Sequence, residues 1–333
     1  MTLFPFMTLF SSTLTLGTFM SMSASHWLFI WMGLELNLLS FIPLLTMSST
    51  NQESEAAMKY FLAQALGSGL ILLGGILMSS NLQMITALLP SILIIMSGVL
   101  LKLGLPPCHF WYPSVMTSIS WFMCLILSTW QKIIPLIILS YLFNLLPSTL
   151  IIILIGSSSF IGGLGGLNQS QLRPLMAYSS IGHLSWVMAG SLFSFSFAMT
   201  YFCLYTVITA AFMITMMFMN ASSNMSIGSM LLYPPIHHII IASILLSLGG
   251  VPPLSGFFTK WLIIQASSQI STLITAILIL GSLMNLFYYL NIVFLTSTSS
   301  TPPLINMTSS SSLTPFLLLP TLFLLAMGPA LLM

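Results

Sequence analysis

Runs of about twenty apolar residues follow one another along most of this chain, the length an α-helix needs to cross the ~30 Å hydrocarbon core of a bilayer. Strands of a membrane barrel would alternate apolar and polar positions with period two, whereas here the runs are continuous. Of 333 residues, five are Lys or Arg and three are Glu, so 2% of the chain is charged. A soluble domain carries roughly 25%, which excludes a water-soluble fold; a disordered chain would be richer still in charge. The net charge of +2 is negligible beside the multiple phosphate contacts that DNA binding requires, so no nucleic-acid partner is expected. The partner implied at this level is the lipid bilayer.

Cutting the chain at clusters of Pro, Asn, Ser and charge gives about eleven expected helices. They cover 3–20, 25–47, 57–79, 82–104, 116–143, 147–167, 172–193, 195–219, 236–267, 270–296 and 314–332. The longest polar connections, 220–234 and 297–313, are too short for an aqueous domain, so 1–333 reads as a single polytopic, all-α membrane domain. Cys108, Cys124 and Cys203 lie far apart and read as small apolar core residues rather than a disulfide framework or metal site. The start, Met1-Thr2-Leu3-Phe4-Pro5, has neither the basic opening of a secretory signal nor the Arg-rich opening of a transit peptide, so no cleaved presequence is expected. Twenty-five Met and no Asp fit the bias of organelle-encoded membrane proteins. Only Lys59 and Arg173 fall near expected interfaces, too few to set orientation.

One pattern occurs twice. Leu101-Lys102-Leu103-Gly104-Leu105-Pro106-Pro107 runs through Cys108-His109 to Phe110, and Leu246-Ser247-Leu248-Gly249-Gly250-Val251-Pro252-Pro253 runs through Leu254-Ser255-Gly256 to Phe257. Glycine followed by paired prolines cannot continue a helix, so breaks are expected near 102–110 and 248–258. Pro135 is expected to break a third span. Irregular backbone at membrane depth is tolerated only where protein or a water-filled cavity satisfies it. Corresponding interrupted spans mark the ion or substrate site of transporter-like folds.

The charges sharpen this. Glu35 and Lys132 lie centrally in their spans, Lys260 follows the second break and Lys102 precedes the first. A charge at mid-membrane costs about 2.5–3.5 kcal/mol, so four imply on the order of 10–14 kcal/mol if none is compensated. One carboxylate cannot pair with three lysines. Either Glu35 forms a buried bridge with one lysine while Lys102 snorkels to an interface, or the lysines form a relay whose proton affinities respond to a neighbour's charge; the relay is the reading favoured here. His183 shares a polar stripe with Ser179 and Ser180 and suits a relay or a serine-satisfied histidine equally. His26, His237 and His238 sit at span ends, and His109 follows the first break. Glu53 and Glu55 read as a favourable helix start, with Glu55 four residues before Lys59, itself a possible interfacial end of a relay. Gly162 and Gly166 have the spacing of a close helix contact. No nucleotide, flavin or Fe–S motif appears.

Several stretches resemble the mitochondrial NADH dehydrogenase subunit 2 family, antiporter-like subunits in the membrane arm of respiratory complex I. They are WMGLELNLLSFIPL (31–44), EAAMKYFLAQA (55–65), GLPPCHFWYPSVM (104–116), STWQKIIPL (128–136), GGLNQSQLRPLMAYSSIGHLSW (165–186) and SLGGVPPLSGFFTKW (247–261). The resemblance implies an antiporter-like core over about 25–296 with inverted repeats and broken helices, followed by a C-terminal helix. It also implies proton translocation in the mitochondrial inner membrane without a redox centre of this chain's own. NADH, FMN, Fe–S clusters and ubiquinone would belong to partner subunits, and other membrane-arm and accessory subunits and cardiolipin would be its neighbours. The family's carboxylate falls on Glu35, its lysines on Lys102, Lys132 and Lys260, and its histidine on His183. The chain departs at Pro174, where the family usually has a polar residue. A stand-alone proton/cation antiporter and a purely structural subunit are the rival readings.

Overall fold

The computed structural model describes residues 3–47, 50–80, 85–219, 227–228, 235–252, 254–269 and 271–298. Every regular element among them is helical: α1 Leu3–Ser23, α2 Trp27–Leu45, α3 Asn51–Ser80, α4 Ile85–Leu103, α5 Trp111–Met116, α6 Trp121–Ser128, α7 Ile133–Phe143, α8 Ser148–Leu167, α9 Leu172–Ser191, α10 Phe195–Phe218, α11 Pro235–Gly249, α12 Ser255–Ser268 and α13 Thr272–Thr298. Most expected spans reappear within a few residues, and stretches such as Trp27–Leu45, Ser148–Leu167 and Phe195–Phe218 are long and apolar enough to cross a bilayer. The expected helix 314–332 and Pro253 lie outside the described residues.

Two departures have local causes, and a third concerns the cysteines. Helix α3 begins at Asn51, six residues before the expected 57, because Thr50 and Glu53 stand at the spacing of a capping box. The Glu53 amide donates to Thr50 Oγ1 at 3.4 Å. The span expected over 116–143 is interrupted one turn before Pro135: α6 stops at Ser128 and a 3₁₀ turn covers Trp130–Lys132. Pro135 has no N–H for the Gln131 carbonyl and its ring crowds it, yet it fits the first turn of α7. Of the cysteines only Cys124 is core; Cys108 and Cys203 are exposed.

The described residues form two compact units, one up to Ile151 and one from Ile152. In the first, α3 buries Ala56, Tyr60, Ala63, Gln64, Gly67, Ser68, Ile71 and Gly74 along one helical stripe. Small residues let the backbones approach closely. A Cβ built on Gly98 of α4 would stand 2.6 Å from the Gly67 carbonyl oxygen, and one on Gly33 of α2 would stand 2.7 Å from that of Gly17 in α1. In the second unit, a Cβ on Gly162 of α8 would stand 2.5 Å from the Gly182 amide of α9, the close contact expected there. Leu16, Phe19, Leu62 and Leu66 in the first unit and Phe287 and Phe294 in the second are exposed, as fits faces turned to lipid rather than water.

Both repeated breaks have one backbone form. Among the described residues Gly104 and Gly250 are the positive-φ glycines, at +67° and +79°. After α4, the Gly104 amide donates to Leu101 and the Leu105 amide to Leu100; after α11, Gly250 donates to Ser247 and Val251 to Leu246. These are paired Schellman bonds, with glycine in the left-handed region that L side chains avoid. The structure thereby fixes the register of the repeat: Gly104 matches Gly250, Lys102 matches Leu248, and Gly249, still helical, stands where the first copy has Leu103.

Packing at Gly98 yields a direct test. Gly98→Val forces atoms into the α3 backbone and is expected to destabilise the protein by about 1–3 kcal/mol. Gly69→Ala, at a position with nothing within 4 Å of the new methyl, is expected to be neutral or slightly stabilising. Thermal melting of the purified protein in detergent distinguishes them; equal melting temperatures would contradict the packing described.

Candidate functional site

A helix that ends inside the protein leaves carbonyls without intrahelical donors, and each must find another partner. At the first break the donors are neutral. Gln64 Nε2 of α3 reaches the Lys102 carbonyl at 3.1 Å, and Trp111 Nε1 of α5 reaches that of Leu101 at 3.0 Å. At the second break the donor is a charge. Lys260 Nζ of α12 bonds the carbonyls of Gly249 at 2.8 Å and Leu248 at 3.2 Å. In the register set by the two glycines, the Leu248 carbonyl matches that of Lys102. A cation is favoured here twice over, because the carbonyl end of a helix carries partial negative charge.

Lys260, Lys102 and Lys132 are all enclosed by protein, with exposures of 6%, 6% and 2%. Lys102 therefore does not snorkel to a surface. Its stem rests on α3, where a Cβ at Gly67 would meet Lys102 Cγ at 3.0 Å. Lys132 ends the 3₁₀ turn, and its Nζ has no hydrogen-bond partner among the described residues. It stands 4.6 Å from the centroid of the Tyr112 ring, within the range of a cation–π contact. Tyr112 is itself seated on the first break, since a Cβ at Gly104 would lie 2.8 Å from Tyr112 Cβ.

Glu35 lies half-buried on α2 and accepts a short hydrogen bond from the Ser68 hydroxyl of α3. Its carboxylate acts electrostatically on Lys102, but the two are not in ion-pair contact. Asn37, two residues on, accepts from Gln131 Nε2 at 2.9 Å, tying α2 to the turn that carries Lys132. The structure thus brings Glu35, Lys102 and Lys132 into one unit around the first break.

In the second unit His183 Nδ1 lies 2.8 Å from Tyr201 Oη of α10. Ser179 and Ser180 donate to carbonyls of their own helix, at Met176 and Ala177. Lys260 stands 5.9 Å from the Trp186 ring, which stacks on Tyr201. A cavity of about 10 Å³, room for a single water, is lined by His183, Tyr201, Tyr205, Ser247, Thr259 and Lys260. Organic ligand sites run to ~300–1,000 Å³, so the space suits water rather than a substrate molecule.

Lys59 pairs with Glu55 at 2.6 Å on an exposed face of α3, where solvent screening leaves an i,i+4 pair little weight. Arg173, expected near an interface, is enclosed in the first turn of α9, with Pro174 beside it. His26 is exposed at the start of α2, and His109 is buried after the first break against Phe110. Among the described residues no three His, Cys, Asp or Glu side chains come together as a metal site. Tyr112, Tyr201, Gln64 and Trp111 carry no charge that would single them out in the sequence, although all but Tyr201 lie within a stretch carrying the family resemblance.

Residues 24–286 match the family model described as NADH:quinone oxidoreductase/Mrp antiporter, transmembrane. NADH-ubiquinone oxidoreductase chain 2 of Lumbricus terrestris is 45% identical, covering 90% of this chain and 88% of the relative. The Scyliorhinus canicula protein of the same name is 39% identical over 98% of both. Among solved structures, a chain of respiratory complex I from Thermus thermophilus superposes with a TM-score of 0.80 at 23% identity, over 95% of this chain and 76% of that one. A chain of the Mrp complex from Dietzia sp. gives 0.81 at 16%, over 96% and 74%. The fold is shared with both assemblies, and the chain belongs to the NADH:quinone oxidoreductase/Mrp antiporter membrane family, in its NADH-ubiquinone oxidoreductase chain 2 branch.

Proposed function

We propose that this chain is a proton-translocating membrane-arm subunit of respiratory NADH:ubiquinone oxidoreductase, resident in the mitochondrial inner membrane and encoded by the organelle. The observation that carries this reading is the enclosure of three lysines beside two broken helices in a chain with so few charges. Relatives named as chain 2 of that enzyme support the assignment to it. Hydride and electron transfer, with NADH, FMN, Fe–S clusters and ubiquinone, belong to the other subunits in this reading. This chain contributes to an NADH:ubiquinone reductase that translocates protons, without redox chemistry of its own.

Glu35 receives or transmits the signal from electron transfer. Ser68 holds the carboxylate, and its field reaches Lys102 without a direct ion pair. Lys132 is the central carrier. Its ammonium rests on an aromatic face rather than on a fixed acceptor, so losing the proton breaks no hydrogen bond to protein. Lys260 is the carrier coupled to conformation: deprotonation weakens both bonds to Leu248 and Gly249 and loosens the end of α11. His183 relays beside it through Tyr201. Moving a unit charge against the membrane potential costs ~2.3 kcal/mol per 100 mV, so the carriers must change proton affinity during the cycle.

Lys132→Met in the assembled enzyme is expected to lower NADH:ubiquinone turnover and proton pumping together, by roughly a hundredfold, the lower end for a missing proton-transfer group. Wild-type pumping by that variant would overturn the assignment. Lys260→Leu removes the charge and the cap together, exposing two carbonyls at about 1–3 kcal/mol each. It is expected to lower both the melting temperature and coupled turnover, whereas Lys132→Met leaves the melting temperature near wild type. The stand-alone antiporter makes the opposite forecast for the isolated chain: reconstituted in liposomes, it would dissipate an imposed pH gradient without partners, and the present reading expects no such flux.

A further inference from the structure

Three buried polar atoms on one face of α13 remain after the carriers and their neighbours are accounted for. Asn285 Oδ1, Tyr288 Oη and Tyr289 Oη make no hydrogen bond of good geometry to the described residues, although the two hydroxyls lie close to each other and to that of Ser179. Their side chains are enclosed, at 2%, 4% and 0% exposure. They belong to one helical face, at positions i, i+3 and i+4. Buried hydroxyls and amides without protein partners are the groups that ordered water satisfies.

Their surroundings connect this face to Lys260 and His183. A Cβ on Gly249, whose carbonyl holds Lys260, would stand 3.7 Å from the Tyr289 ring. The Tyr288 and Tyr289 rings meet edge-on, with centroids 4.6 Å apart. Tyr289 is close enough to Tyr201, the partner of His183, to act on it electrostatically; Tyr288 is likewise close to Tyr205, Tyr289 and Ser179. Asn285 lies against α9 at Gly182, next to His183 in the chain, where a Cβ would meet its Nδ2 at 2.5 Å. The missing side chains at Gly182 and at Gly166, beneath the Tyr288 ring, make room for this polar edge. Apolar packing alone gives no reason to put three such groups there.

We propose that Asn285, Tyr288 and Tyr289 bind ordered water and continue the proton path from the His183–Tyr201 pair along α13. The proposal rests on the reading that this chain moves protons. Each hydroxyl or water accepts a proton on one side while releasing one on the other, then rotates to reset, so no tyrosinate forms and charge balances at every step. Asn285 accepts a hydrogen bond from the water and fixes its orientation; it is a positioning residue.

The test uses the assembled enzyme in inner-membrane vesicles, with Tyr288→Phe, Tyr289→Phe and their double variant beside Lys132→Met. These changes remove only hydroxyls from rings that stay packed. The double variant is expected to lose at least threefold in protons pumped per NADH oxidised, with each single variant intermediate. A high-resolution map of the unmodified enzyme is expected to show water within hydrogen-bond distance of both hydroxyls and Asn285 Oδ1. Full pumping by the double variant where Lys132→Met is impaired would overturn this inference alone; unimpaired Lys132→Met would overturn the underlying reading. If the double variant does not assemble, the single variants and the map decide, and a dry cluster rejects the proposal.

Discussion

The end of a helix inside a membrane is the constraint from which the rest of this structure follows. Lipid cannot satisfy a free carbonyl, so each break must be closed by protein or by enclosed water. The two breaks share a left-handed glycine and a Schellman pair, yet they are closed differently. Gln64 and Trp111 close the first with neutral donors; Lys260 closes the second with a charge. The buried ammonium and the broken helix thus solve each other's problem. The charge gains fixed acceptors at the negative end of a helix, and the helix end gains donors that lipid does not provide.

At the first break the same geometry reaches further. Gly104 leaves room for Tyr112, and the Tyr112 ring provides the face over which Lys132 stands. The position of Lys132 is set by a second irregularity, the 3₁₀ turn that Pro135 forces on the preceding residues. Two departures from regular helix, far apart in sequence, therefore converge on one ammonium. A side chain at Gly104 would be strained by its φ of +67° and would also displace Tyr112, so a change at Gly104 would be felt at Lys132, a full helix further along the chain.

Much of this was legible in the chain because membrane solvation is so selective. Apolar runs gave the helices, and the twice-used glycine–proline pattern gave the breaks, since few other residues end a helix at depth. The register of that repeat was not legible, because Gly249 and Gly250 are chemically identical and only backbone conformation separates them. Charge scarcity pointed to Glu35, Lys102, Lys132 and Lys260 but said nothing of what holds them. Ser68, Gln64, Trp111, Tyr112 and Tyr201 are ordinary residues of membrane helices until folding aims them at a carbonyl, a carboxylate or an imidazole. The start of α3 is obscured for a related reason: the Thr50 hydroxyl accepts from the Glu53 amide and extends the helix through residues whose polarity reads as a loop.

How the lysines are held bears on how charge is communicated. A lysine stem at the edge of lipid ordinarily extends to water. Here the Lys102 stem lies in the notch left by Gly67, and the Lys260 stem in that left by Gly250, with a built Cβ 2.9 Å from Lys260 Cδ. Backbone notches, carbonyls and an aromatic face position these cations; direct carboxylate contacts do not. Glu35 still acts on Lys102 across the gap, because charges within a poorly screened interior interact well beyond contact distance. A direct pair would neutralise both partners and fix their protons. Separation preserves the influence of one charge on the other while leaving each free to change, and a relay requires that combination more than it requires strong binding.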